Sequence, residues 1–211
     1  MRDAAHRTLD VYEIACLAGG PARMIDSAIV ALVESGRVQV TAPGCLTTAS
    51  LARRHPVEAA VLDAVGPTGH RSVETVRWRL ETDDRILDVS RRLRDEGLLG
   101  AGGTVGPVAR RSRWRLAPTY AGRHVLHELC DDPPVDGVAG GTSAMTVALH
   151  GRERMPDQAL CRSIFEPPPS PVAAGFTGKP PPELDYADGW VAAQRTRALI
   201  LKDNSFFGPG S

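Results

Sequence analysis

The sequence predicts a mainly α-helical protein with small β-hairpins, arranged as two winged-helix-like modules in tandem and a proline-rich C-terminal arm. Three observations predict it. Apolar residues recur at spacings of three and four through most of the first 130 positions, and several of these runs close on glycine. Two helix–Gly–strand endings line up in the same order: Ala28-Ile29-Val30-Ala31-Leu32-Val33-Glu34-Ser35-Gly36-Arg37-Val38 and Val89-Ser90-Arg91-Arg92-Leu93-Arg94-Asp95-Glu96-Gly97-Leu98-Leu99. From residue 166 the composition turns to proline, in Glu166-Pro167-Pro168-Pro169-Ser170-Pro171 and Lys179-Pro180-Pro181-Pro182. Such segments are extended spacers and cannot form a core.

The first module is expected over residues 8–52. Leu9, Tyr12, Ile14 and Leu17 mark an apolar face that Gly19-Gly20 stops, and Pro21 suits the first turn of a new helix. Met24, Ile25, Ala28, Ile29, Leu32 and Val33 form the stripe of that second helix, with Gly36 past its end. Arg37 to Thr41 alternates like a strand, Ala42-Pro43-Gly44 is a turn, and Cys45-Leu46-Thr47 returns.

The second module is expected over residues 53–130. His55-Pro56 opens a helix carrying Val57, Ala60, Val61 and Val65, which Gly66-Pro67 ends. Ser72 is placed to cap a short helix, with Thr75 where a capping box would have Glu or Gln. Asp83 or Asp84 caps a third helix, whose apolar side holds Ile86, Val89 and Leu93. Leu98-Leu99, a glycine-rich tip from Gly100 to Gly106, and Arg113-Trp114-Arg115-Leu116 read as a β-hairpin wing, and Thr119 starts a closing helix. Residues 131–165 read as a linker with short helices at 143–150 and 156–165. The arm, 166–211, reads as mostly disordered apart from a helix at 187–201.

Composition narrows the function classes. There are 25 basic and 25 acidic residues, so the whole chain is neither a basic nucleic-acid coat nor an acidic tail. The balance is a cancellation: residues 1–70 carry −1, residues 71–125 carry +5 and residues 126–211 carry −4. No run approaches the roughly 18 consecutive apolar residues of a membrane span, and the first residues lack a signal-peptide core. A cytoplasmic protein is the expectation. Cys16, Cys45, Cys130 and Cys161 contain no CxxC pair and read as small hydrophobes in a reducing compartment.

The residues most able to bind a partner lie in the basic segment. Arg110, Arg111, Arg113 and Arg115 surround Trp114 in a stretch without acids, and Arg91, Arg92 and Arg94 sit on the preceding helix. Such a wing and helix could grip phosphates; a charged edge strand that resists aggregation has the same composition. Asp83, Asp84, Asp88, Asp95 and Glu96 share the helix with those arginines and would repel DNA. His124, His127 and Cys130 follow at intervals of three, but one helix without a second ligand pair is a weak metal signal. No GxSxG, GxxxxGK[ST] or HExxH pattern occurs, so no catalytic residue and no cofactor are assigned. The resulting expectation is a non-enzymatic module that binds a protein or peptide; the alternative is a DNA-binding regulator that uses the second wing.

The block Leu9-Asp10-Val11-Tyr12-Glu13-Ile14-Ala15-Cys16-Leu17-Ala18-Gly19-Gly20-Pro21, followed by Ala28 to Val38, resembles a poorly characterised family of high-GC Gram-positive bacteria. The likeness continues through His55-Pro56-Val57-Glu58-Ala59-Ala60-Val61 and Met145-Thr146-Val147-Ala148-Leu149-His150-Gly151. Many members of that family are membrane proteins or end in a Gly- and Cys-rich tail; this chain has a proline-rich tail instead. The resemblance implies no catalytic residues.

Overall fold

The computed structural model describes residues 8–67, 70–101, 116–131 and 141–167. The tip of the expected second wing (102–115), residues 132–140, and the arm from 168 onward with its expected helix lie outside the described residues.

Asp10 opens the first helix, α1 (Val11–Glu34). Its carboxylate accepts the amides of Tyr12 and Glu13, both at 2.8 Å, while Glu13 Oε2 accepts the Asp10 amide at 3.1 Å. This reciprocal cap satisfies donors that a helix start otherwise leaves open. α1 is broken where the sequence stops its first apolar run: Gly20 takes φ 74° and ψ −172°, and Pro21 begins the second half. Glycine adopts that backbone without strain, and proline's missing N–H is no loss in a first turn.

The strands β1 (Val38–Ala42) and β2 (Cys45–Thr48) form an antiparallel hairpin, with Val38 opposite Thr48 and Val40 opposite Leu46. Helix α2 (Pro56–Val65) is capped by His55, whose Nδ1 accepts the Val57 amide at 3.2 Å. The short strand β3 (Arg71–Ser72) pairs with β2, giving a three-stranded sheet in the order β1-β2-β3. α3 (Val73–Leu80) starts from Ser72, whose hydroxyl accepts the Thr75 amide and lies 2.9 Å from the Thr75 hydroxyl. Threonine thus contacts the cap where glutamate would reach back. Asp83 caps α4 (Asp84–Asp95). Then β4 (Leu99–Ala101) pairs with β5 (Leu116–Pro118), and α5 (Tyr120–Asp131), α6 (Gly141–His150), a 3-10 turn (Arg152–Arg154) and α7 (Gln158–Phe165) complete the described chain. The protein is therefore mainly helical with small antiparallel sheets.

The core is single. Ile14, Leu17, Ile29 and Leu32 of α1 share it with Leu62, Leu80, Ile86 and Leu93, so the expected boundary at 52/53 falls within one core. α1 is the axis on which α2, α4 and α6 pack. Residues 141–150 and 158–165 form short helices within the expected linker, but α6 is a core element: Ala144, Val147 and Ala148 are fully buried. Alanines one turn apart let α6 approach closely, and Arg23 Nη1 donates to the Leu149 carbonyl at 3.1 Å. Among the described residues α1 is the one helix long and apolar enough to cross a membrane, with a mean hydropathy of 1.4 in its most apolar window. It contains no long uninterrupted apolar run, because Glu13, Arg23 and Asp26 break the pattern. Most of its circumference is buried within the protein.

One close approach seats α5. A Cβ on Gly122 would stand 2.3 Å from the Leu98 carbonyl oxygen and 3.1 Å from Leu17 Cδ1. The neighbour is backbone and cannot turn aside. Gly122→Ala is expected to cost about 1–3 kcal/mol, in the range of overpacked cores. Urea denaturation measures it, and faster amide exchange confined to α5 and β5 would locate the strain.

Candidate functional site

The most concentrated polar chemistry is buried beside the start of α1. Glu58, next to Val57 in the first turn of α2, has no exposed surface, and Arg37 is 5% exposed. Arg37 Nη1 lies 2.5 Å from Glu58 Oε2 and Nη2 lies 2.7 Å from Oε1, a two-pronged pair. Tyr12 donates its hydroxyl to Glu58 Oε1 at 2.7 Å, and Arg37 donates further to the Ala52 carbonyl and the Ser35 hydroxyl. Burial pushes the Glu58 carboxyl up, but hydrogen bonds from Arg37 and Tyr12 outweigh it and hold it below the usual glutamate range. Burial and the bond to Glu58 raise the Tyr12 hydroxyl.

His55 packs its ring on Tyr12, 4.6 Å between centroids. Its Nδ1 accepts a backbone amide, so Nε2 carries the hydrogen and faces Asp10 Oδ2 at 3.4 Å. Both ring nitrogens are occupied, which leaves none to move a substrate proton. For Asp10, burial raises the carboxyl, but the bond from His55 and the amides of Glu13 and Tyr12 bring it below its ordinary value. The arrangement holds chain segments together and has no vacant acid or base.

A second polar cluster fixes α7. Asp26 of α1 accepts from Arg77 Nη2 at 2.6 Å and Nε at 3.0 Å. The Phe165 ring lies 5.6 Å from the Arg77 guanidinium carbon and 5.5 Å from that of Arg152. Burial raises the Asp26 carboxyl against the opposing pull of Arg77.

The residues singled out from the sequence are distributed differently. Arg91, Arg92 and Arg94 are exposed on α4, but Arg91 pairs with Asp88 and, at 3.3 Å, with Asp84. Arg92 Nη1 lies 3.5 Å from buried Glu13, and Arg85 pairs with Asp83 and Asp63. Arg110, Arg111, Arg113, Trp114 and Arg115 lie outside the described residues. His124 faces Glu128 at 3.4 Å and His127 faces Asp131 at 3.0 Å, each histidine on its own carboxylate one turn on. Among the described residues no three His, Cys, Asp or Glu side chains come together to hold a metal.

All four cysteines are free thiols; Cys16 and Cys45 are buried as hydrophobes would be, whereas Cys130 is exposed. Cys16 Sγ lies 3.3 Å from Ser90 Oγ, and burial pushes its thiol up to about 11. That pair borders a groove of about 230 Å³ between the Gly19-Gly20-Pro21 corner and the strands β4 and β5, with Leu99, Leu116 and Pro118 on its far wall. Among the described residues no charged side chain lines it.

The fold defines a mainly helical protein with small antiparallel sheets, whose buried Glu58 and Asp26 are paired with Arg37 and Arg77. Comparison of the chain with protein-family models, with curated proteins and with solved structures found no match.

The buried network makes its own stability testable in two ways. Arg37→Ala or Glu58→Ala alone is expected to cost about 3–5 kcal/mol, since either leaves a buried charge unpaired. The triple replacement Tyr12→Phe/Arg37→Met/Glu58→Met should recover most of that loss in urea denaturation. The second test is acid. Asp10 and Glu58 ionise more readily in the folded state, so their contribution is complete above the ordinary carboxylate range and is lost as pH falls through and below it. Asp26, raised by burial, slopes the other way. Wild-type stability should therefore fall between about pH 5 and about pH 3, and more steeply than that of the triple variant, which lacks the Glu58 contribution.

Proposed function

We propose that the protein is a non-enzymatic module that engages a protein or peptide partner through residues 53–130. The order helix, strand, helix, helix, strand, strand in α2, β3, α3, α4, β4 and β5 supports reading this half as winged-helix-like. Residues 8–52, a helical corner and a hairpin, are its shorter counterpart.

The observation that carries the reading is the engagement of three of the four α4 arginines, Arg85, Arg91 and Arg92. A nucleic-acid surface needs cations free to replace counterions along phosphates. Arg85, Arg91 and Arg92 instead face acids of their own chain. Among the described residues, a groove with no charged side chain runs beside the strands β4 and β5, the kind of surface on which an extended peptide is held by backbone bonds and one or two side-chain anchors.

The test uses the full chain as bait in extracts of its native host, beside a variant with residues 102–115 replaced by a short Gly-Ser loop. A defined protein that binds the wild type, with affinity at least about tenfold weaker for the variant, is the expected result. Retardation of random duplex DNA at about 50 mM salt, abolished by Arg113→Ala/Arg115→Ala, would overturn it in favour of the DNA-binding alternative.

A further inference from the structure

The strand β1, Val38-Gln39-Val40-Thr41-Ala42, carries no charge and no proline. It is the outer strand of the sheet β1-β2-β3, so among the described residues one of its hydrogen-bonding edges has no strand partner. Along it runs a groove of about 570 Å³. Every β1 residue from Val38 to Ala42 lines that groove. Successive side chains point to opposite faces of a strand, so a surface lined by all five is the backbone edge itself and neither face. The opposite wall includes Val33 and, from α7, Leu160 and Ser163, and among the described residues the lining is uncharged in a chain of which 24% is charged. Natural edges are ordinarily blunted by charge, proline or bulges; here β1 has one register shift, between Val40 and Ala42, and Pro43 follows the strand at the end of the groove.

We propose that β1 pairs antiparallel with β1 of a second copy, making a two-fold dimer with a continuous six-stranded sheet. Charge argues for this occupant. The strand is neutral, and the whole chain has a formal net charge of zero, so two copies meet without repulsion at the seam or between the bodies. A two-fold axis near Val40 sets that residue against itself and Gln39 against Thr41 of the other copy, uncharged pairs of strand-forming type. The assembly closes at two, because each copy's remaining edge, β3, is two residues long and includes Arg71.

Sedimentation velocity of the full chain from about 10 µM to about 500 µM should show the average mass rising towards twice that of the monomer. Gln39 and Thr41 are exposed, so Gln39→Lys/Thr41→Lys and Gln39→Glu/Thr41→Glu leave the core intact, which circular dichroism and thermal melting verify. Each variant alone should dimerise at least about tenfold more weakly, through like charges opposed across the seam, and an equimolar mixture should regain the dimer. A wild-type chain that stays monomeric overturns the proposal, whether or not another protein's strand takes the edge. So does a dimer unaffected by the charged variants, or a suppressed dimer that mixing fails to restore.

Discussion

The pairing of Arg37 with Glu58 is the constraint on which the described fold depends. Arg37 stands just past the end of α1, Glu58 lies in the first turn of α2, and Tyr12 reaches the same carboxylate from the opposite end of α1. Three separated stretches meet at one buried charge pair. Two charges without water are tolerable only when their bonding capacity is filled. Here the guanidinium bonds the carboxylate twice, a carbonyl and a hydroxyl, while the carboxylate accepts the tyrosine as well. The geometry admits one mutual placement of these stretches, which an apolar contact alone would leave looser.

The sequence declared its local structure more openly than its long-range pairs. The Gly20 break, the caps Asp83 and Ser72, and Pro56 in the first turn of α2 all follow from short patterns whose causes act within a few residues. Glu58 and Asp26 left a fainter trace: each is a lone acid inside an otherwise apolar run, which a buried partner explains, but the partner lies far away in the chain. Nothing local to Arg37 or Arg77 says that it is the one. The role of α6 was obscured for another reason. Its small residues have little apolar surface of their own, and they become core through the closeness of the approach they permit. Of the candidate binding surface, Arg91, Arg92 and Arg94 lie exposed on α4, and the engagement of Arg91 by Asp84 and Asp88 and of Arg92 by Glu13 depends on rotamers and on α1 lying alongside.

Neutrality recurs at several scales. The segment with the largest positive excess contains α4, where arginines alternate with acids close enough to pair. Among the described residues both grooves bordered by strands are lined without charge. A surface of mixed, locally matched charge with neutral seams discriminates by shape and hydrogen bonding more than by long-range attraction.

The bond ladder between β2 and β3 has a further consequence. β2 lies within residues 8–52 and β3 within residues 53–130, yet together they complete one sheet beside the core that the described residues share. Severing the chain between them would strip a strand from its neighbour and open apolar surface on both pieces. Neither piece would then be self-sufficient, and heat or denaturant should disassemble the described residues in a single cooperative step.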